Sequence, residues 1–221
     1  MQGRTGDLFR DHAGGSRTGC AWLTPGAALL HGYALDRETT LIDALAAVTV
    51  AAPYRQWQTP GGFTMSVAMT NCGSVGWVSD RRGYRYQATD PASGRLWPPM
   101  PPQFSELARD AAAAAGHAGF MPDACLINRY APGARMSLHQ DKDEADFSAP
   151  IVSVSLGLPA VFQFGGDTRA SRSLRVPLRH GDVVVFGGPA RLRYHGISPV
   201  KPGYHPILGA QRVNLTFRRA R

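Results

Sequence analysis

The sequence predicts a mainly β fold with flanking helices, of the α+β class, whose strands close into a jelly roll or barrel. Beyond about residue 120 the chain breaks into short apolar runs separated by glycine and proline, the punctuation of a strand-built body. Two stretches with helical periodicity precede them. The 221 residues, 43% of them hydrophobic, are enough to bury one sizeable core without disulfides.

Residues 1–19 are rich in Gly, Arg and Ser, so a disordered tail is expected; Arg4, Asp7, Arg10, Asp11, His12 and Arg17 do not read as a signal peptide. Residues 20–52 form a strand and helix support, with Asp36 capping a helix to Ala52 whose apolar face is Leu41, Ile42, Leu45 and Val48. Residues 53–98 turn to short β-like runs broken by glycine and proline; their aromatics suggest a lid and not an independent domain. Residues 99–221 then make the core. It opens with an alanine-rich helix over 103–115 that Gly116 ends. Strands are expected at 124–130, 151–156, 160–164, 173–178, 182–186, 192–195 and 210–217. The turn His180-Gly181-Asp182 starts the fifth of them.

No apolar run approaches the ~20 residues that span a bilayer, so no membrane partner is expected. Cys20, Cys72 and Cys125 lack metal-binding spacing and suit a reducing compartment; the cytoplasm is the expected location. The net charge of +8 favours a polyanionic partner. Arg81, Arg82, Arg85 and Arg95 are interleaved with Trp77, Tyr84, Tyr86 and Trp97. That mixture suits nucleic acid, where charge follows phosphates and rings stack on bases.

The densest chemistry is in Leu138-His139-Gln140-Asp141-Lys142-Asp143-Glu144. On a strand, His139 and Asp141 point the same way and can share one ion, and His195 can supply a third ligand from a neighbouring strand. Two imidazoles and one carboxylate leave open positions, as expected for a non-haem Fe(II) oxygenase; a closed zinc site would want a fourth ligand. Alternation places Arg212, Asn214, Thr216 and Arg218 on one strand face, and Val213, Leu215 and Phe217 on the other. Two arginines on a buried face are costly unless an anion meets them, and a dicarboxylic acid chelating iron is such an anion. H-x-D alone is common on surfaces. The ordered set, H-x-D, a later His before Gly196, then R-x-N-x-x-x-R, is specific.

The motifs Thr59-Pro60-Gly61-Gly62, Asn128-Arg129-Tyr130-Ala131-Pro132-Gly133-Ala134, Ser137-Leu138-His139-Gln140-Asp141-Lys142-Asp143-Glu144, Phe162-Gln163-Phe164-Gly165-Gly166, His180-Gly181-Asp182 and Asn214-Leu215-Thr216-Phe217-Arg218 carry a resemblance. Over residues 22–218 the chain resembles the AlkB family of Fe(II)/2-oxoglutarate-dependent dioxygenases. The resemblance implies a double-stranded β-helix core and a nucleotide-recognition lid at 53–98. It implies His139, Asp141 and His195 as iron ligands. Asn128, Tyr130, Arg212, Asn214 and Arg218 would hold 2-oxoglutarate, with Arg212 at the distal carboxylate and Arg218 nearer the metal-bound end. Trp77 would stack on a flipped base opposite His139, because the alkylated atom is otherwise inside the stack. Asp143 would sense the alkylated base with help from Glu144. Tyr84, Arg85 and Tyr86 would contact the sugar–phosphate backbone, and Arg169 the base. Thr59, Met65, Met69 and Ser137 match pocket or strand-contact positions.

The implied activity is oxidative demethylation of 1-methyladenine and 3-methylcytosine in DNA and RNA, preferably single-stranded, by a monomer. It consumes 2-oxoglutarate and O2 and releases succinate, CO2 and formaldehyde. A protein or small-molecule hydroxylase is the alternative within the chemistry, and the Trp77 and Arg/Tyr-rich segment argues against it. A non-catalytic nucleic-acid-binding module would carry a broken triad, and this one is intact. Phe63 stands in place of the family's tyrosine, Phe186 of its tryptophan and Arg135 of its lysine. Residues 166–179 diverge.

Overall fold

Period-two alternation in the last strand sets the architecture, because its two faces serve different layers. The computed structural model describes residues 19–221. In chain order the elements are β1 (Gly19–Thr24), β2 (Ala27–His31), α1 (Glu38–Ala51), β3 (Arg55–Gln58), β4 (Thr64–Gly73), β5 (Gly76–Asp80), β6 (Gly83–Gln87) and α2 (Pro102–Ala114). They continue with β7 (Ala124–Tyr130), β8 (Met136–His139), β9 (Ile151–Gly157), β10 (Ala160–Phe164), β11 (Leu174–Leu178), β12 (Val183–Phe186), β13 (His195–Ile197) and β14 (Arg212–Arg218). A large sheet of eight strands runs β1-β2-β12-β9-β14-β7-β4-β3, and a smaller one runs β11-β10-β13-β8. Their pairings are antiparallel, and the two sheets make the jelly roll. Among the described residues no helix is long and apolar enough to cross a membrane.

Val213, Leu215 and Phe217 of β14 pack with Phe104 and Leu107 of α2 and Leu41 of α1 in one core beneath the helices. A second core joins Val184 and Phe186 of the large sheet to Phe162, Phe164, Val176 and Ile197 of the smaller one. β12 contributes Val183 and Val185 to the first core and Val184 and Phe186 to the second. A strand covered on both faces reads as an unbroken apolar run, as this one does.

Several expectations need correction. Asp36 does not cap α1: it lies in a 3-10 turn, Leu35–Arg37, and the capping position is Arg37, with no side-chain cap. Backbone bonds from Ala34 N to Gly181 O and from Leu35 N to Gly32 O hold this tight turn, so α geometry starts only at Glu38. Ile42 is only half-buried. The strand expected at 192–195 is instead His195–Ile197. A 3-10 turn, Gly188–Ala190, with Pro189 at its second position, precedes it, and the bond from Arg193 N to Ala190 O prolongs the turn. β8, the strand expected to carry both His139 and Asp141, ends at His139, so Asp141 lies on a loop. Residues 53–98 contribute to two sheets. β4 pairs with β7 from Ala68 to Gly73 inside the large sheet, and only the β5–β6 hairpin forms a separate sheet. The expected tail over 1–19 lies outside the described residues, except Gly19, which begins β1.

Candidate active site

β8 and β13 pair so that His139 and His195 are direct register partners, with ring centroids 4.5 Å apart. Gly196 permits the approach: a Cβ there would meet Met136 O at 2.6 Å. The Nδ1 of His139 is 2.9 Å from Ser137 O, and that of His195 is 3.0 Å from Arg193 O. A carbonyl only accepts, so both Nδ1 atoms carry the proton, leaving both Nε2 lone pairs free for a metal. They face one carboxylate. Asp141 Oδ1 is 3.6 Å from His139 Nε2, and Oδ2 is 3.7 Å from His195 Nε2.

Arg218 holds Asp141 Oδ2 through Nε at 3.0 Å and Nη2 at 2.6 Å. Burial alone would raise the Asp141 pKa, yet Arg218 and the two imidazoles keep it well below the usual carboxylate range. Burial, aided by His139, pulls His195 down to about 4. Near neutral pH the site therefore offers an ionised Asp141 and a neutral His195 ring, protonation states a metal needs.

The cavity beside this triad is lined by Asn128, Tyr130, Arg212, Asn214 and Phe186, among others. Arg212 is 1% exposed, lies over the Tyr130 ring at 4.9 Å and donates from Nη2 to Ser155 Oγ at 3.0 Å. Its Nε and Nη1, and Asn128 Oδ1, are buried without partners. A buried cation with two unmet donors is costly unless an anion meets it, so the cavity fits a ligand with a carboxylate at this end.

Two further residues expected on the cosubstrate, Asn214 and Arg218, line the same cavity and also hold protein partners. Asn214 gives Nδ2 to Ser153 Oγ and Val154 O, while its Oδ1 accepts from Thr216 and Asn128. It organises its neighbours. Arg218 is spent on Asp141 and Glu144.

Trp77 and Tyr84 stack across the β5–β6 hairpin at 5.4 Å and 16°. Trp57 and Trp97 are core residues, whereas Trp77 is half-buried, and its Nε1 donates to Asp143 Oδ2 at 2.8 Å. Other expected substrate residues are placed differently. Glu144 is 7% exposed and accepts from Tyr86 and Arg191, so neither it nor the Tyr86 hydroxyl is free for a nucleotide. Arg85 is paired with Asp80. Met69, at 1% exposure, is core, because its strand is inside the large sheet. Thr59 Oγ1 accepts from Phe63 N in an exposed turn, and Met65 is half-buried. Ser137 is exposed, its carbonyl orienting His139, and exposed Arg169 lies over Tyr194 at 5.7 Å. Sequence reasoning missed Arg191 and Ser155. An isolated arginine in a turn and a serine in a strand carry no motif.

The comparisons agree with this geometry. The model of the 2OG-Fe(II) oxygenase superfamily matches residues 26–218. The alpha-ketoglutarate-dependent dioxygenase AlkB of Salmonella typhimurium is 56% identical over 97% of each chain. That of Escherichia coli is 57% identical over 90% of this chain and 92% of its own. The chain belongs to the AlkB family. Among solved structures, OsALKBH1 superposes with a TM-score of 0.81 at 30% identity, covering 91% of this chain and all of its own. As AlkB-family enzymes are 2OG-Fe(II) oxygenases, the cofactor set is Fe(II), 2-oxoglutarate and O2, and the triad and the unmet Arg212 donors suit it.

A second cluster, Glu38, His180 and His205, has ligand-like spacing among the described residues. Gly157 N–H donates to His180 Nδ1 at 2.8 Å, so the proton of the neutral ring sits on Nε2, which lies 2.8 Å from Glu38 Oε1. No lone pair is left for a metal. The cluster joins α1 to the turn before β12, and His205 stacks on it at 4.3 Å.

Proposed function

We propose that this chain is an Fe(II)/2-oxoglutarate-dependent dioxygenase that removes methyl groups from alkylated bases such as 1-methyladenine and 3-methylcytosine in DNA and RNA. One juxtaposition carries the reading. His139 and His195 of the triad line one cavity with Arg212 and its unmet donors, and the Trp77–Tyr84 stack is tied by Asp143 to the loop that carries Asp141.

His139, Asp141 and His195 would hold the iron, which with 2-oxoglutarate and O2 supplies oxidation of a C–H bond and releases succinate and CO2. Arg212, Asn128 and Tyr130 would seat the distal carboxylate. The Trp77 face would stack on the flipped base, and Asp143 beside it would favour the positive charge of an N-alkylated ring. The hydroxylated methyl then leaves the ring nitrogen as formaldehyde.

Flipping costs least from single strands, which we infer are preferred. The parts of the site come from one chain, which supports action as a monomer. The test is formaldehyde release from methylated DNA and RNA oligonucleotides, single- and double-stranded, with and without iron and 2-oxoglutarate. Release dependent on both supports the reading; 2-oxoglutarate turnover with no release from any oligonucleotide overturns it.

A further inference from the structure

The acidic loop after His139 hides a device that its sequence does not announce. Glu144, three residues past Asp141, is 7% exposed. Its Oε2 accepts from Arg191 Nη2 at 3.1 Å, and its Oε1 accepts from the Tyr86 hydroxyl at 2.7 Å and lies 3.3 Å from Arg218 Nε. Both arginines also hold Asp141. Arg191 Nη1 donates to its backbone carbonyl at 2.7 Å, and Arg218 grips carboxylate Oδ2. Two buried carboxylates thus balance two buried guanidiniums, with Asp141 held at both ends and Oδ1 left towards His139.

We propose that Glu144 is a positioning residue for the metal centre, setting the aim of Asp141 and balancing the charge of Arg191 and Arg218 around it. The inference rests on the iron-centre reading above. Without the Glu144 charge, two guanidiniums would share the one carboxylate that must also neutralise a divalent cation, and a buried cation stripped of its partner is strongly unfavourable. Groups that orient metal ligands contribute roughly 10- to 100-fold to metal affinity. Tyr86 extends the network to β6. Its bond to Glu144 and the Trp77–Asp143 bond anchor the hairpin to consecutive residues of the metal loop.

The test is calorimetric titration of the full metal-free chain with Ni2+, a redox-inert stand-in for Fe2+. Glu144→Gln keeps the volume and an acceptor for Tyr86 but removes the charge; its Ni2+ affinity should fall by roughly tenfold or more, and Glu144→Asp should recover part of the loss. Parental affinity in folded Glu144→Gln, or no recovery in the Asp variant, overturns the proposal. Should the Gln variant not fold, Arg191→Lys, which keeps the charge but loses the fork between Glu144 and the Asp141 carbonyl, must weaken Ni2+ binding, and parental affinity there overturns it equally. Failure of the demethylase reading would appear instead as absence of formaldehyde release by the parent protein.

Discussion

Because Arg212 keeps two guanidinium nitrogens without partners at 1% exposure, the cost of burying it is recovered only when an anion arrives. Charge-assisted bonds to such a ligand contribute about 1.5–3 kcal/mol, so Arg212→Ala should raise the KM for 2-oxoglutarate by roughly 10- to 100-fold. Arg212→Lys should be a partial substitute, lacking the planar fork. Unchanged cosubstrate dependence in the alanine variant would return the residue to a packing role. Trp77→Ala is the matching probe of the other end of the site. It should weaken binding of a methylated oligonucleotide by about 1–3 kcal/mol while sparing oligonucleotide-free 2-oxoglutarate turnover. Equal binding by variant and parent would leave Trp77 as a strut for Asp143. Arg212 and the triad were legible in the sequence through the ordered motif set and the family resemblance it carries. The part Glu144 plays was not, since its partners Tyr86, Arg191 and Arg218 lie on three other segments, and only the fold brings them together.

Among the elements, β7 and β10 have the boundaries their apolar runs imply, and α2 differs from its expected span by one residue at each end. The strand expected to carry both His139 and Asp141 stops at His139, because its pairing with β13 ends at the His195 register. Its existence depends on β13, which in turn begins later than propensity suggests. The His180 joint gives the elements a testable pH response. Burial and the neighbouring His205 lower the His180 pKa from 6.5, against the pull of Glu38 and Asp182. Below that value the unfolded chain binds a proton that the folded ring resists, so stability should fall as pH drops through the window. Urea midpoints at about pH 7.5 and about pH 5.5 should show the loss. His180→Asn, whose amide oxygen can still accept from Gly157 N, should flatten it. An equal slope in the variant would place the dependence elsewhere.

For the molecule as a whole, the +8 charge acts at longer range than any contact described above. Oligonucleotide affinity should fall linearly on a log–log plot against salt, by about 0.7 in slope for each phosphate neutralised on a single strand. A flat plot would remove phosphate contacts from the recognition. The register pairing of His139 with His195 has a further consequence at this scale. An ion held by both, and by Asp141, is a removable staple that closes the whole stretch of chain between residues 139 and 195. Whatever binds only the folded form raises its stability in proportion to the logarithm of its concentration over its dissociation constant. Saturating Ni2+ should therefore slow cleavage of the folded chain by thermolysin, and chelation should restore it. In a cell starved of iron, the same staple falls out, and scarcity of the metal becomes a shorter lifetime of the protein as well as an idle enzyme.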